Sequence, residues 1–306
     1  MFFSEKKEDL IFVLEGGLGS QLFQFFAGID YSLQHNRRVK FDFSIIDQRK
    51  QHIGDLRDFE FGVLENVFEF MDVNPDMTNY RKASKLSLLN QYLNADQFYK
   101  SRVSGYDVGF CETKKLRIIK GTFNCINHIN SVENLLRISI KDQIKIKRES
   151  VRLTQQDMAE RDSIILHVRK GDYIGKQNVF GLLSDKYYIQ AVLLLASGLG
   201  KREVFLSSDS PSQVTGLISD LAKYDLKVRF LSQKLGTVET LVSMSQGSAH
   251  VISNSSFGWW GAFLSQRSSS VIYPSPWFRK SAVEPLNLNP PRSHWKPQAS
   301  EWVVTN

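Results

Sequence analysis

The chain has 306 residues, enough for two domains of ordinary size, and its 42% apolar residues can build hydrophobic cores. Its 39 Lys and Arg exceed its 32 Asp and Glu, giving a net charge of +7 that favours anionic partners. No block of five or six like charges occurs, so we expect no nucleic-acid partner. Two cysteines exclude a disulfide framework and a four-thiolate metal site. Because no apolar run would serve as a signal peptide or membrane span, we expect a soluble, cytoplasmic protein.

The N-terminal part begins like a nucleotide-binding half-sheet. An apolar run at residues 10–14 predicts a strand, and a glycine-rich turn follows it. Apolar residues then recur at three- and four-residue spacing from residue 20 to residue 33, which predicts a helix, and residues 39–43 predict a second strand. Strand, glycine turn, helix and strand in this order are typical of such a half-sheet.

The glycine turn at residues 16–21 supports more than one interpretation. Glycines let backbone N–H groups at a helix start approach an anion or a sugar closely. The turn also partly matches the dinucleotide fingerprint, with Asp42 in the place of the ribose-binding acid. Leu22, however, stands where that fingerprint has its third glycine. A plain tight turn is the competing interpretation.

The middle of the chain is less regular. Residues 116–121 predict one strand that leads into a loop at residues 122–125. The polar stretch at residues 141–161 is the expected connection between domains. We therefore predict an N-terminal Rossmann-like domain at 1–150 and a C-terminal one at 151–306.

The C-terminal part shows a regular alternation. Apolar runs predict strands at residues 163–168, 203–207, 227–231, 249–253 and 271–274. Amphipathic segments between them predict helices at residues 186–197, from Ser210-Pro211, and from Val238. Five strands alternating with helices predict an α/β domain with a doubly wound parallel sheet.

In such a sheet the loops that follow the strands emerge at one edge, where ligands bind. After the first strand, the period of two places His167 and Arg169 on the same side, so both are expected to point to one place. The planar fork of Arg169 suits phosphate. The alternative is an ordinary ion pair with Asp172.

Two further loops are expected at the same edge. Ser208 and Asp209 follow the second strand and offer acceptors for a ribose or a base. Asn254, Ser255 and Ser256 precede a helix, where hydroxyls and free N–H groups make an anion site. Helix capping by Asn254 or Ser255 is the alternative for this loop. Convergence of all three loops favours a binding site.

No set of His, Cys, Asp and Glu residues has the spacing of metal ligands, so we predict a site without metal. A diphosphate leaving group would then be stabilised by Arg169, backbone N–H groups and hydroxyls. This chemistry suits transfer of a sugar from a nucleoside diphosphate.

Three motifs together resemble the bacterial α-1,2-fucosyltransferases, glycosyltransferase family 11. They are GGLGSQLFQ at residues 16–24, HVRKGDY at 167–173 and NSSFGWWGA at 254–262, and the resemblance runs from about residue 12 to 278. It implies a GT-B architecture, in which two Rossmann-like domains face each other across a cleft and the C-terminal one holds GDP-fucose. It also implies inverting, metal-independent transfer of L-fucose from GDP to the 2-hydroxyl of a terminal galactose.

The resemblance also implies residue roles. Arg169 would contact the pyrophosphate and stabilise the departing GDP, and Asp172 is a candidate base or a partner that orients Arg169. The implied donor-binding residues are His167, Arg169, Ser208, Asp209, Asn254, Ser255, Ser256 and Phe257. The implied cleft loop near fucose and acceptor contains Gly17, Gly19, Ser20 and Gln21.

Four residues depart from the pattern of the family. Ser20 replaces a usual Asn, Lys170 a usual Arg, Ser210 a usual Asp and Gly258 a usual Ser. Ser20 leaves open a non-catalytic nucleotide-sugar-binding protein, and the glycine turn leaves open an NAD-dependent oxidoreductase.

Partners and location follow from the resemblance. The expected partners are GDP-fucose and a galactose-terminated glycan acceptor, with no separate cofactor. Bacterial members of the family typically decorate O-antigen on a lipid carrier, so contact with the cytoplasmic face of the inner membrane is expected. Trp295 and Trp302 are expected to pack back across the cleft, the alternative being an exposed partner surface.

Overall fold

The computed structural model forms two compact units. It describes residues 10–37, 39–42, 98–101, 105, 107, 109, 118–130, 163–200, 203–231, 235–265, 267–280 and 294–303. Described residues up to 130 belong to the N-terminal unit, and those from 163 onwards belong to the C-terminal unit. The predicted domain boundary at residue 150 and the connection at 141–161 lie outside the described residues, so they stay predictions.

Among the described residues, the N-terminal unit contains a parallel sheet and two named helices. Its strands are β1 (Leu10–Val13), β2 (Val39–Asp42), β3 (Phe98–Lys100) and β4 (Ile118–Lys120), and its helices are α1 (Leu18–His35) and α2 (Asn127–Asn130). The strand order is β2-β1-β4-β3, and every pairing is parallel. The predicted unit of strand, glycine turn, helix and strand is confirmed.

Helix α1 covers the sheet of this unit because its apolar face is broad. Aromatic rings of the helix and the sheet pack together, with the centroids of Phe25 and Phe41 4.8 Å apart. Gly28 allows this close packing, because a Cβ there would lie 2.8 Å from the Phe41 ring. The helix ends at Asn36, which adopts a left-handed conformation with φ of 48°.

The C-terminal unit contains a six-stranded parallel sheet. Its strands are β5 (Ile164–Val168), β6 (Glu203–Ser208), β7 (Lys227–Phe230), β8 (Ala249–Val251), β9 (Ser270–Ser275) and β10 (Trp295–Ala299). Its helices are α3 (Asp185–Leu199), α4 (Thr215–Ala222), α5 (Thr237–Met244) and α6 (Ser256–Phe263). The order β10-β9-β8-β5-β6-β7 is the Rossmann order. Successive strands are added on one side of β5 up to β7 and then on its other side from β8, so the strand order reverses between β5 and β8.

Alternate residues of β5 divide the core between the two faces of this sheet. Ile164 and Leu166 pack with the cluster that includes the apolar residues of α3 and α4. Ile165 packs with Met244 of α5, and Phe257 of α6 packs against that second cluster. Helices therefore cover both faces, and the predicted doubly wound α/β sheet is confirmed. The cleft arrangement implied by the resemblance stays a prediction.

One local prediction for this unit was wrong. Ser210-Pro211 opens a short 3-10 helix, Pro211–Gln213, and α4 begins only at Thr215. The Ser208 hydroxyl accepts the N–H of Ser210, and the N–H of Val214 bonds to the carbonyl of Pro211, so a tight turn comes before the helix.

The sixth strand, β10, was not predicted. Only Trp295 among its residues is fully buried, and Pro297 interrupts the apolar pattern, as an edge strand allows.

Trp295 and Trp302, which are expected to pack back across the cleft, make their described contacts within the C-terminal unit. The Trp295 ring lies 5.6 Å from that of Trp259 in α6. Trp302 forms a bridge with Leu183 and lies against Gly181, where no side chain would fit. Both rings therefore pack within the C-terminal unit. Over the described ranges, no helix is long and apolar enough to cross a membrane.

Candidate active site

The predicted loops come together at the carboxyl edge of the C-terminal sheet. They follow β5, β6 and β8, and the reversal of strand order between β5 and β8 is where a ligand crevice forms in such sheets. The backbone N–H of Lys170 donates to Asp209 Oδ1 at 2.9 Å, linking the first two loops. The Tyr173 hydroxyl donates to the carbonyl of Asn254 at 2.9 Å, linking the first and the third. The three loops form one continuous rim.

Arg169 is the centre of this rim. Its Nε lies 3.1 Å from Asp209 Oδ2, and its Nη2 lies 2.7 Å from Asp172 Oδ1. The guanidinium carbon lies 5.6 Å from the centroid of the Tyr173 ring. The predicted alternative, pairing with Asp172, therefore occurs together with a second pair. Arg carries five N–H donors, so two ion-pair bonds leave donors for a phosphate. The side chain is 25% exposed, so a ligand can reach it.

Asp209 holds two loops together. Its two carboxylate oxygens contact the Lys170 N–H and the Arg169 guanidinium. A Cβ at Gly171 would lie 2.5 Å from Asp209 Oδ2, so only glycine leaves room for the carboxylate. Ser208, predicted to bind donor, uses its hydroxyl to accept the N–H of Ser210 and closes the turn after β6. Asp209 and Ser208 therefore stabilise the loops of the rim through hydrogen bonds inside the protein.

Lys170 turns away from Arg169. Its ammonium lies 2.7 Å from Asp185 Oδ1 at the start of α3 and 3.3 Å from the carbonyl of Gln213. The side chain is only 12% exposed. This lysine anchors the loop to the helices beneath it, so its charge is already matched inside the protein.

His167 lies under the start of α6. Its Nδ1 is 2.9 Å from the Ser253 hydroxyl, and its ring centroid is 5.9 Å from that of Phe257. Burial, helped by the positive charge of Arg169, lowers the pKa of His167 to about 3. The imidazole is therefore neutral at physiological pH.

His167 and Arg169, which are predicted to point to one place, have different hydrogen-bond partners at the rim. His167 packs beneath α6, whereas Arg169 reaches the loop after β6. Strand β5 ends at Val168, so the alternation of side chains no longer directs Arg169.

The start of α6 has no side-chain cap. Ser255 is the N-cap residue, but its hydroxyl makes no capping hydrogen bond, so the predicted alternative of capping by this residue is not realised. The Asn254 amide donates instead to the carbonyls of Phe180 at 2.9 Å and Gly181 at 3.3 Å. The first N–H groups of a helix lack partners within the helix, and its dipole attracts anions. Ser256 and Phe257, which are partly exposed, mark the helix start as a place for an anion.

Sequence reasoning gave no role to two residues of the rim. Tyr173 stacks on Phe180 with ring centroids 5.2 Å apart, and burial raises the pKa of its hydroxyl. Ser253 is the hydrogen-bond partner of His167. Finding this partner requires the strand order, because β8 lies beside β5 in space but 81 residues separate Val168 from Ala249 in sequence.

The glycine turn of the N-terminal unit divides into two parts. Gly17 and Ser20 are partly exposed, whereas Gly19 and Gln21 are buried. Gln21 Nε2 donates to the carbonyl of Gly16 at 2.8 Å, so this side chain supports the turn from below. Asp42, the residue considered for a ribose, is only 3% exposed. In the part of the chain that the structure describes, no group of three or more His, Cys, Asp or Glu side chains could hold a metal ion.

The sequence model of a known family decides the class of protein. Glycosyl transferase family 11 matches residues 119–284, more than half of the chain. The chain belongs to glycosyl transferase family 11. The match contains β5 to β9 and all three loops of the rim, whereas the glycine turn lies before it. The described rim is therefore part of the family's own region, and the chain is a glycosyltransferase.

Several characterised proteins are similar to this family 11 chain. Alpha-1,2-colitosyltransferase of Escherichia coli is 25% identical over 288 residues, which cover 90% of this chain and 95% of that protein. Galactoside 2-alpha-L-fucosyltransferase of Caenorhabditis elegans is 27% identical over 175 residues, covering 53% of this chain and 47% of that one. O-antigen biosynthesis glycosyltransferase WbnK of Escherichia coli is 26% identical over 128 residues, covering 40% and 42%.

Among solved structures, NodZ alpha-1,6-fucosyltransferase soaked with GDP-fucose superposes with a TM-score of 0.46 at 14% identity, covering 88% of this chain and 96% of that one. POFUT1 in complex with GDP superposes with a TM-score of 0.46 at 10% identity, covering 87% and 98%.

Proposed function

We propose that the protein transfers L-fucose from GDP-fucose to the 2-hydroxyl of a terminal galactose, forming an α-1,2 linkage in a surface glycan such as O-antigen. The observation that carries this proposal is the position of Arg169, which two carboxylates hold at the point where the strand order reverses. Membership of glycosyl transferase family 11 and relatives named for α-1,2 transfer, galactoside fucosylation and O-antigen biosynthesis support it.

In the proposed reaction the oxygen of the acceptor hydroxyl bonds to C1 of fucose with inversion, and the bond from C1 to the β-phosphate oxygen breaks. The proton of the acceptor hydroxyl passes to water. The electron pair of that bond leaves with GDP, and the negative charge on its diphosphate increases. Arg169 and the N–H groups at the start of α6 stabilise this charge in our proposal, so that no metal and no separate cofactor are required. Since Asp172 and Asp209 already hold the guanidinium, little reorganisation is needed during the reaction.

The roles of Asp172 and His167 follow from their contacts. Asp172 is bonded to Arg169 at 2.7 Å, so we assign it to orienting the guanidinium rather than to removing the acceptor proton. His167, whose pKa is lowered to about 3, serves as a neutral wall of the donor pocket in this proposal. The binding roles predicted for Ser255, Ser256 and Phe257 belong to the same proposal, because these residues form the uncapped helix start.

The decisive experiment is a transfer assay with GDP-fucose, lactose and other terminal β-galactosides in the presence of EDTA, with the product linkage determined by NMR. We expect α-1,2-linked fucose. Arg169→Ala should lower the rate about 10²- to 10³-fold, the loss typical of removing one donor that stabilises developing charge. Arg229→Ala is the matched control, because Arg229 lies on β7 in a 3.6 Å contact with Glu203, outside the three rim loops. Equal rates for both variants would contradict the proposal.

Binding of GDP and of NADH, measured beside the transfer assay, tests two other functions. GDP binding without transfer to any acceptor would favour the non-catalytic nucleotide-sugar-binding protein. NADH binding without GDP binding would favour the oxidoreductase.

A second donor is included because the similarity to the colitosyltransferase extends over 90% of the chain. If the GDP-linked colitose donor reacts faster than GDP-fucose, the transferred sugar is colitose and the α-1,2 linkage remains to be determined on that product.

The location is also a proposal. A cytoplasmic enzyme that touches the inner membrane peripherally would meet a lipid-linked glycan there, and the net charge of +7 suits an anionic surface. Sedimentation with anionic vesicles at low salt tests this contact. A protein that stays entirely in the supernatant contradicts it.

A further inference from the structure

The N-terminal sheet has its own point where the strand order reverses. Its order is β2-β1-β4-β3, so the chain leaves β1 towards β2 on one side and later places β4 on the other side. Crevices for ligands form outside the carboxyl ends of the two strands at such a point. Glu15 follows β1 and Lys120 ends β4, and their charged groups lie 3.1 Å apart. An ion pair therefore stands at this second crevice.

Stability does not explain this ion pair. The side chains of Lys120 and Glu15 are 21% and 25% exposed, and an ion pair largely removed from water is weak evidence for stability because desolvation offsets the attraction. The same exposure leaves both charged groups within reach of a ligand. Of the other carboxylates described in this unit, Asp30 and Asp42 are buried, and Asp107 is half-buried but belongs to neither β1 nor β4. Glu15 is therefore an accessible carboxylate at the carboxyl edge of β1.

Two buried amides fix the position of Glu15. Gln24 Oε1 accepts the backbone N–H of Glu15 at 2.9 Å, and Gln21 Nε2 donates to the carbonyl of Gly16 at 2.8 Å. Both glutamines are 0% exposed, and burying such amides has a cost that their hydrogen bonds must offset. A turn held from below by two buried side chains presents Glu15 in a defined position, as binding groups require.

The described residues leave room beside this turn. Apart from the neighbouring residues of the chain, no described atom lies within 4 Å of the place where a Cβ of Gly17 would be, and Gly17 gives α1 no side-chain cap. The paired charges of Glu15 and Lys120 cancel, and a carboxylate repels an anion. The surroundings therefore suit a neutral ligand with several hydroxyl groups better than a nucleoside diphosphate.

We propose that Glu15 and Lys120 bind hydroxyl groups of the acceptor sugar. The Glu15 carboxylate accepts hydrogen bonds from sugar hydroxyls, and the Lys120 ammonium donates to a sugar oxygen. Gln21 and Gln24 are positioning residues, because they act on the ligand only through the turn. The identity of the sugar as a galactoside rests on the function proposed above, whereas the preference for a neutral polyhydroxyl ligand rests on the pair itself.

The test compares Glu15→Gln with Glu301→Gln in the full-length chain. The control makes the same change in an ion pair of similar length, Lys186 with Glu301 at 3.0 Å. Methyl β-D-galactoside binding is measured without donor by saturation-transfer NMR, and steady-state kinetics follow with GDP-fucose. We expect Glu15→Gln to raise the acceptor KM roughly 10- to 100-fold, the loss typical of a hydrogen bond to a charged group. The KM for GDP-fucose and both values in Glu301→Gln should stay unchanged.

A charge exchange separates binding from a merely structural pair. The double variant Glu15→Lys, Lys120→Glu restores the ion pair but places the carboxylate on the other strand. If the pair only stabilises the turn, the exchange restores the acceptor KM. If the carboxylate binds the sugar, the KM stays high, which is the result we expect.

Several results would overturn the proposal. They are full rescue by the charge exchange, an unchanged acceptor KM in Glu15→Gln, and absence of galactoside binding by the wild-type protein. These failures differ from failure of the proposed function, because absence of transfer with galactoside binding that Glu15→Gln abolishes would leave this subsite standing. Transfer that Glu15→Gln leaves unaltered would refute the subsite alone.

Discussion

Gly258 is predicted to be essential for the packing of His167. A Cβ at this position would lie 2.6 Å from His167 Nδ1 and 3.0 Å from its Cγ, closer than non-bonded atoms approach. The imidazole has little room to move, since it is 4% exposed and bonded to Ser253. Replacement of Gly258 by Ala, or by the Ser that is usual in the family, should therefore displace the ring.

The magnitude follows from three contributions. Overpacking a buried site costs about 1–3 kcal/mol. Loss of the bond between His167 and Ser253 costs about 1 kcal/mol more. Alanine is better than glycine inside a helix by about 1 kcal/mol, which offsets part of this cost. We expect Gly258→Ala to lower the free energy of unfolding by about 1–3 kcal/mol.

The assay is urea denaturation followed by tryptophan fluorescence. All five tryptophans belong to the C-terminal part of the sequence, at residues 259, 260, 277, 295 and 302, so the signal reports the unit that contains Gly258. Gly216→Ala is the matched control, because Gly216 also lies near the start of an eight-residue helix but a Cβ there meets no described atom within 4 Å outside its own helix. The control should be up to about 1 kcal/mol more stable than the wild type.

The reasoning would be refuted if Gly258→Ala were as stable as Gly216→Ala. A destabilised Gly258→Ala whose affinity for GDP is unchanged would locate the damage away from the donor rim.

Two further predictions concern pH and the donor rim. Burial lowers the pKa of His167 to about 3 and that of His250 to about 4, so both stay neutral in the folded protein while the unfolded chain binds protons below pH 6.5. Stability should be full above pH 6.5 and fall towards pH 4 with a slope of about 1.4 kcal/mol per pH unit for each ring. Urea midpoints measured from pH 4.5 to 8 check this, and a His250→Gln variant with an undiminished slope would contradict it. Asp209→Asn should raise the KM for GDP-fucose about tenfold or more, and more than Asp172→Asn does, because Asp209 contacts both Arg169 and the backbone of the first loop. Initial rates at varied GDP-fucose measure the difference, and a larger effect of Asp172→Asn would reverse our assignment.

Much of the fold could be predicted because local pattern and tertiary structure agree. Strand β5 is an apolar run interrupted only by His167 and flanked by polar residues, and its alternate apolar residues enter two different cores. Helix α1 likewise shows its buried face in the spacing of its apolar residues. Strand β10 could not be found in this way, because its own sequence has no regular apolar pattern. It is held by its pairing with β9 and by contact of Trp295 with the Trp259 ring.

The members of the rim could also be predicted, but their contacts could not. The sequence places Asp209 after a strand and Arg169 after another, and the rule that parallel strands end at one edge brings them together. It does not indicate that Arg169 forms ion pairs with two carboxylates. Nor does it indicate that the Asn254 amide donates to the carbonyls of Phe180 and Gly181. Those contacts depend on loop geometry, which hydrophobic periodicity does not encode.

The charges of the rim limit how it can recognise a diphosphate. Arg169 is matched by two carboxylates, and Lys170 is matched by Asp185, so these described residues carry no local excess of positive charge. The net charge of +7 therefore does not reflect a positive field at Arg169. The rim instead has hydrogen-bond donors in fixed orientations, since the guanidinium is held in place and the first turn of α6 has no side-chain cap. In our proposal the donor is therefore selected by fixed N–H groups at short range, which is also how a departing diphosphate would be stabilised most strongly.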